Sequence, residues 1–170
     1  LFDLTFTDVQ PDVIFRGMPD GTFEEDNGTA GFNDATAHYG MAAADLDRDG
    51  ALDLVVGTWS GATLVWSNPC TPGAWLTIEP IGPPGNSEGL GVKVSVTTGD
   101  KTDIQELYGL RSVGQGPSEL YFGLGETTTV DRVSVVWPDG ITQVFDNAPT
   151  RRILYVRHPE ASETSLPSDA

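Results

Sequence analysis

Nine consecutive residues hold the plainest chemistry in this chain: Asp45-Leu46-Asp47-Arg48-Asp49-Gly50-Ala51-Leu52-Asp53. Carboxylates stand at relative positions 1, 3, 5 and 9, with a glycine at position 6. A hard divalent cation such as Ca²⁺ takes about six to eight oxygen ligands, and a tight loop supplies them by turning alternate side chains inward. Gly50 permits the sharp backbone turn between the third and fourth acids. Ala51, at position 7, can offer its backbone carbonyl. The expected ligand set is therefore Asp45, Asp47, Asp49, the Ala51 carbonyl and Asp53, around one structural Ca²⁺. All these donors are hard oxygens, which disfavours Zn²⁺. Mg²⁺ suits the loop less, because it demands a strict octahedron and keeps its waters. The alternative is an acidic turn that binds nothing, since Asp and Gly both favour turns without a metal. Four acids so close together repel one another unless a cation sits among them, and that favours the metal.

The elements that must hold this loop read as strands. An EF-hand loop carries a bidentate Glu at position 12 and is flanked by helices; here position 12 is Val56. The flanks Gly40-Met41-Ala42-Ala43-Ala44 and Leu54-Val55-Val56-Gly57 are short apolar runs bounded by glycines, which favours a strand–loop–strand site. Before the loop, Phe2, Leu4 and Phe6 alternate with polar residues, Val13 to Phe15 forms a second short strand, and 24–38 has no clear period. After it come strands at 54–59 and 62–66. Asn68-Pro69-Cys70-Thr71-Pro72-Gly73 breaks any strand and marks a boundary.

Residues 74–157 repeat the all-β pattern. Strands are expected at 75–81, 92–97, 102–108, 119–124, 133–137, 141–145 and 153–157, separated by Gly/Pro/Asp turns. Short strands at such spacing indicate a sandwich or barrel. Trp137-Pro138-Asp139-Gly140 is read as a tight hairpin turn. Beyond Arg157 the composition is that of a flexible acidic tail, 158–170.

Composition excludes several classes. The formal net charge is −16 with only nine Lys and Arg, which opposes a nucleic-acid partner, since phosphates are held by basic side chains. It opposes anionic membranes as well. No apolar run of about 18 residues is present to span a membrane. The chain opens Leu1-Phe2-Asp3 with neither signal peptide nor initiator Met, which reads as a part cut from something longer. Cys70 is the single cysteine and makes no internal disulfide. Asn27-Gly28-Thr29 fits the N-glycosylation triplet.

Asp45 to Asp53 with Leu54-Val55-Val56-Gly57 resembles the FG-GAP/VCBS repeat of integrin-like β-propellers, whose DxDxDGxxD loops bind Ca²⁺. The match at 45, 47, 49, 50 and 53 is complete, and Asp20-Gly21-Thr22-Phe23 and Ala30-Gly31-Phe32 resemble the preceding run. Residues 74–157 are similar to the ASPIC/UnbV domain. The similarity rests on Gly89-Leu90-Gly91-Val92-Lys93-Val94, on Ser118-Glu119-Leu120-Tyr121-Phe122-Gly123-Leu124-Gly125, and on Val135-Val136-Trp137-Pro138-Asp139-Gly140. Glu88 and the segment 110–115 depart from that family's pattern, so no ligand role carries over to that loop. The pair of modules resembles the cartilage acidic protein family and its bacterial relatives. The resemblance implies an all-β chain: propeller-blade elements over 1–69, then a small sandwich or barrel-like domain over 70–157. It also implies a secreted, extracellular, periplasmic or cell-surface location.

No nucleophile–base set is legible. His38 lies in a polar loop, His158 precedes a proline in the tail and is expected to be solvated, and Cys70 has no His nearby. Asp131 and Asp139 read as turn residues. Trp59, Trp66, Trp75 and Trp137 each fall on a strand pattern and are expected in cores, although exposed Trp could stack on sugars. The leading expectation is a non-enzymatic, calcium-binding interaction or adhesion module. Its partner would be a protein or glycan, with the remainder of a propeller or a partner chain completing the blade. The rival expectation is a carbohydrate-binding or accessory subunit of an extracellular enzyme. A third is a hydrolase whose catalytic residues lie elsewhere.

Overall fold

A computed structural model describes residues 13–18, 20–25, 38–59, 61–69, 73–109 and 115–162. The expected strand at 2–6, Asn27 and Cys70 lie outside the described residues. Among those described, every regular element is a strand.

β1 (Phe15–Gly17) pairs antiparallel with β2 (Phe23–Glu25). β2 falls inside the stretch expected to be loop. The cause is the Asp20-Gly21 turn: Gly21 sits at φ 84°, and Asp20 accepts the Thr22 N–H at 3.0 Å and its hydroxyl at 2.6 Å. These bonds hold the Asp20 carboxyl below the usual carboxylate range, the Thr22 hydroxyl contributing most. A turn so fixed folds the next residues back on β1, whatever their polarity.

β3 (His38–Ala44), β4 (Asp53–Thr58) and β5 (Leu64–Trp66) form a three-stranded antiparallel sheet with β4 central. The acidic loop joins β3 to β4, whose ends pair Ala44 with Asp53. The strand–loop–strand reading of the flanks therefore holds. His38 is a correction: it starts β3 rather than lying in a loop, with its ring edge-on to Trp66 at 6.4 Å.

The second unit has two sheets. β11 (Thr142–Pro149), β10 (Thr129–Val136), β7 (Lys93–Thr98) and β8 (Lys101–Glu106) form one, in that order. β12 (Arg152–Arg157), β6 (Ala74–Ile81) and β9 (Leu120–Gly125) form the other, with β12 parallel to β6. Neither closes into a barrel. Leu76 and Ile78 of β6, Leu120 and Phe122 of β9, Val94 and Val96 of β7, and Val133 and Val135 of β10 share one core with Trp137. Alternation along each strand delivers these side chains to the inner faces.

β6 departs from simple alternation, because both its faces are covered. Leu76 and Ile78 point into the core. Trp75 and Thr77, on the opposite face, are buried as well, at 8% and 3% exposure. Over Trp75 lies Gly50 of the acidic loop.

The turn after β10 matches the hairpin expected at 137–140. Gly140 N–H donates to the Trp137 carbonyl at 2.9 Å, Trp137 N–H to the Ile141 carbonyl at 2.8 Å, and Gly140 adopts φ 92°. This is a three-residue hairpin loop with glycine in the left-handed position.

His158 is a second correction. It is 1% exposed, not solvated. Its N–H donates to the Ile81 carbonyl at 2.8 Å. Its Nε2 lies 3.0 Å from Asp139 Oδ2, Nδ1 accepts the Glu160 N–H, and the ring meets Trp137 edge-on at 4.9 Å. Composition made 158 look like tail, but the side chain fills the gap between the hairpin and the end of β12. Trp59 is the third: it is 78% exposed, just past the end of β4, rather than in a core.

Candidate metal site

The loop's shape is fixed by its own carboxylates. Asp45 Oδ1 accepts the Asp49 N–H at 3.1 Å, and its Oδ2 accepts the Gly50 N–H at 2.9 Å. Asp47 Oδ1 accepts the Asp49 N–H at 3.2 Å, and Asp49 Oδ1 accepts the Ala51 N–H at 2.7 Å. These bonds draw the three carboxylates toward the loop's centre. Arg48 and Gly50 take left-handed backbone angles, φ 62° and φ 91°, which coil the chain tightly enough for this.

The result is a convergence of Asp45, Asp47 and Asp49. One ligand oxygen from each lies within 4.8 Å of the others. Oxygens bound to one Ca²⁺ at about 2.3–2.6 Å are separated by at most about 5 Å, so the three fit a single ion. Asp45 is half-buried, while Asp47 and Asp49 are open to solvent, leaving room for water ligands. The donor chemistry is all hard oxygen, as calcium requires.

Asp53 stands apart from this trio. It is 4% exposed, and both its oxygens receive backbone N–H groups: Leu46 at 3.1 Å and Asn68 at 2.8 Å. It ties the mouth of the loop to the segment just after β5. Ala51 is buried at the inner end, its N–H engaged by Asp49.

Four residues from the second unit complete the surroundings, and the spacing of acids could not announce them. Tyr121 of β9 donates its hydroxyl to the Gly50 carbonyl at 2.5 Å. Trp75 of β6 lies under Gly50: a Cβ at residue 50 would fall on its indole ring. The two rings stack, with centroids 6.4 Å apart and planes at 13°. Burial raises the Tyr121 phenol above its ordinary value, and the negative Asp45 and Asp49 raise it further. Glu119 is raised too, by burial first, then by Glu79 and Asp45, with Arg48 opposing. Glu79 is raised by burial, again against Arg48. Arg48 is thus the local countercharge for an otherwise anionic joint. One signal in the sequence pointed here: Trp75, Thr77 and Glu79 share the face of β6 opposite the core residues Leu76 and Ile78.

Residues 2–56 match the family model described as FG-GAP-like repeat, and residues 82–163 match the model described as ASPIC and UnbV. The chain is similar to cartilage acidic protein 1 of Homo sapiens, 35% identical over 98 residues that make up 57% of this chain and 14% of that protein. It is also similar to cartilage acidic protein 1 of Mus musculus and of Xenopus tropicalis. Each is 40% identical over 52 residues, which are 30% of this chain and 8% of the relative. The matched stretches therefore span a small part of those relatives' length.

Proposed function

From a chain that joins an FG-GAP-like repeat to an ASPIC and UnbV domain, we propose a calcium-stiffened, non-enzymatic interaction module that works outside the cell. The observation that carries this reading is the convergence of Asp45, Asp47 and Asp49 within 4.8 Å in a loop whose backbone is already fixed. A bound Ca²⁺ supplies two positive charges where three carboxylates face one another. Its function is structural, since the groups around it are a phenol, an indole and further acids, none of them a nucleophile activated by a base.

His158 supports the non-catalytic reading, because both its ring nitrogens are committed to Asp139 and Glu160. Extracellular location rests on the likeness to cartilage acidic proteins and on the acidity of the chain. Affinity on the order of 10⁻⁴–10⁻³ M, as in other extracellular modules, suffices where calcium is millimolar. The fitting partner is a protein surface, with further propeller or a partner chain against the open three-stranded sheet.

Isothermal titration with Ca²⁺ tests the reading directly. Wild type should bind about one ion, and Asp47→Ala should abolish that binding. A chain that melts identically in chelator and in millimolar Ca²⁺, with no heat of binding, refutes it.

Trp59 carries a second reading. Its 78% exposure makes it a platform on which a sugar ring could stack. Binding on a glycan array that is lost in Trp59→Ala would favour a carbohydrate-binding module.

A further inference from the structure

Resting on the calcium reading above, we propose that Tyr121 and Trp75 are positioning residues for the calcium loop. Ion binding and the seating of that loop on the second domain then form one coupled equilibrium.

A single peptide unit, the one between Gly50 and Ala51, links Tyr121 to the loop's carboxylates. Its carbonyl accepts the Tyr121 hydroxyl, and its N–H donates to Asp49 Oδ1 at 2.7 Å. A peptide is planar, so fixing one end fixes the other. Tyr121 therefore sets the direction of the donor that orients the Asp49 carboxylate, although it does not touch that carboxylate itself. The two N–H groups before that donor, of Asp49 and Gly50, hold Asp45.

The seat is rigid. Tyr121 stands on β9 directly opposite Thr77 of β6, and Trp75 lies two residues along β6 on the same face. The stacked rings make a flat floor, and Gly50 rests on it with no space for a Cβ. Glycine at 50 thus answers two demands, the left-handed backbone and the close approach to the indole. A loop lifted off this floor keeps its acids but loses the anchor for Asp49.

Coupling of this kind is reciprocal. If the docked loop binds calcium better, then calcium must favour docking and so tighten the β6–β9 face. The FG-GAP-like repeat and the ASPIC and UnbV domain would then be held in one orientation when calcium is present and released from it when calcium is withdrawn.

The test is calcium titration of the full chain, comparing wild type with Tyr121→Phe and Gly140→Ala. Phenylalanine keeps the ring stack and removes only the hydroxyl, so Tyr121→Phe should weaken calcium binding about fivefold, the scale of one hydrogen bond. Gly140→Ala strains a turn in the other sheet and should lower the melting temperature while leaving the affinity within about twofold. In parallel, hydrogen exchange on wild type should show calcium slowing amides at 74–81 and 120–125 as well as in the loop. Tyr121→Phe binding within twofold of wild type overturns the proposal. So does an equal loss of affinity in Gly140→Ala, or protection confined to 45–53. Absence of calcium binding by wild type would instead sink the metal reading itself, and this coupling with it.

Discussion

Two glycines with the same backbone angle offer a matched experiment. Gly50 and Gly140 sit at φ 91° and φ 92°. A side chain in this region costs roughly 1–2 kcal/mol, whichever residue carries it. The surroundings differ. A Cβ at 140 meets nothing within 4 Å, whereas a Cβ at 50 would fall on the Trp75 indole. Trp75 is 8% exposed and stacked on Tyr121, so it cannot swing aside cheaply. The loop must lift instead, which loses the Tyr121–Gly50 hydrogen bond, about 1 kcal/mol, and uncovers part of the indole, about another 1 kcal/mol. Gly140→Ala should therefore cost about 1–2 kcal/mol and Gly50→Ala about 3–4 kcal/mol.

Thermal unfolding reads the difference. For a chain of this size 1 kcal/mol moves the melting temperature by about 2–4 °C, so Gly50→Ala should melt several degrees below Gly140→Ala in chelator. In millimolar Ca²⁺ the gap should widen, because only the Gly50 variant loses part of the ligand-linked stabilisation. Equal shifts for the two alanines, with equal responses to calcium, would refute both the packing of Gly50 on Trp75 and its link to the metal loop.

Asp47→Ala should remove the calcium-dependent rise in melting temperature, measured by scanning fluorimetry with and without chelator. Glu119→Gln removes one negative charge from the joint, so it should raise the melting temperature of the ion-free chain while weakening calcium binding modestly, both read in the same titration series. Asp139 is held below the ordinary carboxylate range, chiefly by the Ile141 N–H and further by His158. A depressed carboxyl contributes stability that is complete above its unfolded value and is lost as pH falls through its folded value. Asp139→Asn should therefore flatten the acid limb of the stability profile below about pH 4, followed by urea unfolding across pH, and leave neutral-pH calcium affinity unchanged. His158→Ala should cost about 2–4 kcal/mol, as an unfilled cavity beside Trp137 with Asp139 Oδ2 and the Glu160 N–H losing their partner, seen as a lower urea midpoint.

Strand content was legible because the second unit obeys period-two alternation almost throughout. Val94 and Val96 face the core while Lys93 and Ser95 do not, and the turns carry Gly, Pro or Asp where left-handed or rigid backbone is required. The hairpin at 137–140 was legible for the same reason, since its residues suit only a few turn geometries. β2 was not, because Phe23-Glu24-Glu25 is a strand by virtue of the turn before it. His158 and Trp59 were misjudged in opposite directions. Burial is decided by what packs across from a residue, and sequence neighbours do not reveal that. At the metal loop, the acids at 45, 47 and 49 could be read from spacing alone, and the structure brings them together. Asp53 occupies the position expected of a fourth ligand; it lies outside the converging trio and bonds the backbone N–H groups of Leu46 and of Asn68, fifteen residues on.

The unmatched behaviour of β6 connects these observations. A strand buried on one face normally alternates, yet Ala74 to Ile78 are buried without a break. Its inner residues belong to the sandwich. On its outer face Trp75 lies under Gly50 of a loop that bears three converging carboxylates. Carboxylates ordinarily seek water, so an acidic loop is a poor cover for Trp75 unless its charge is answered. Arg48 answers part of it; Tyr121 and Glu119 are raised by burial first, and the nearby negative charge raises them further. A divalent cation would answer the rest while leaving the apolar contact of Gly50 on the indole intact. The same ion that relieves repulsion among Asp45, Asp47 and Asp49 would thereby make the loop a better lid for β6. On the calcium reading proposed above, a bound ion would therefore act on the joint between the two units, through the loop seated on β6 and β9.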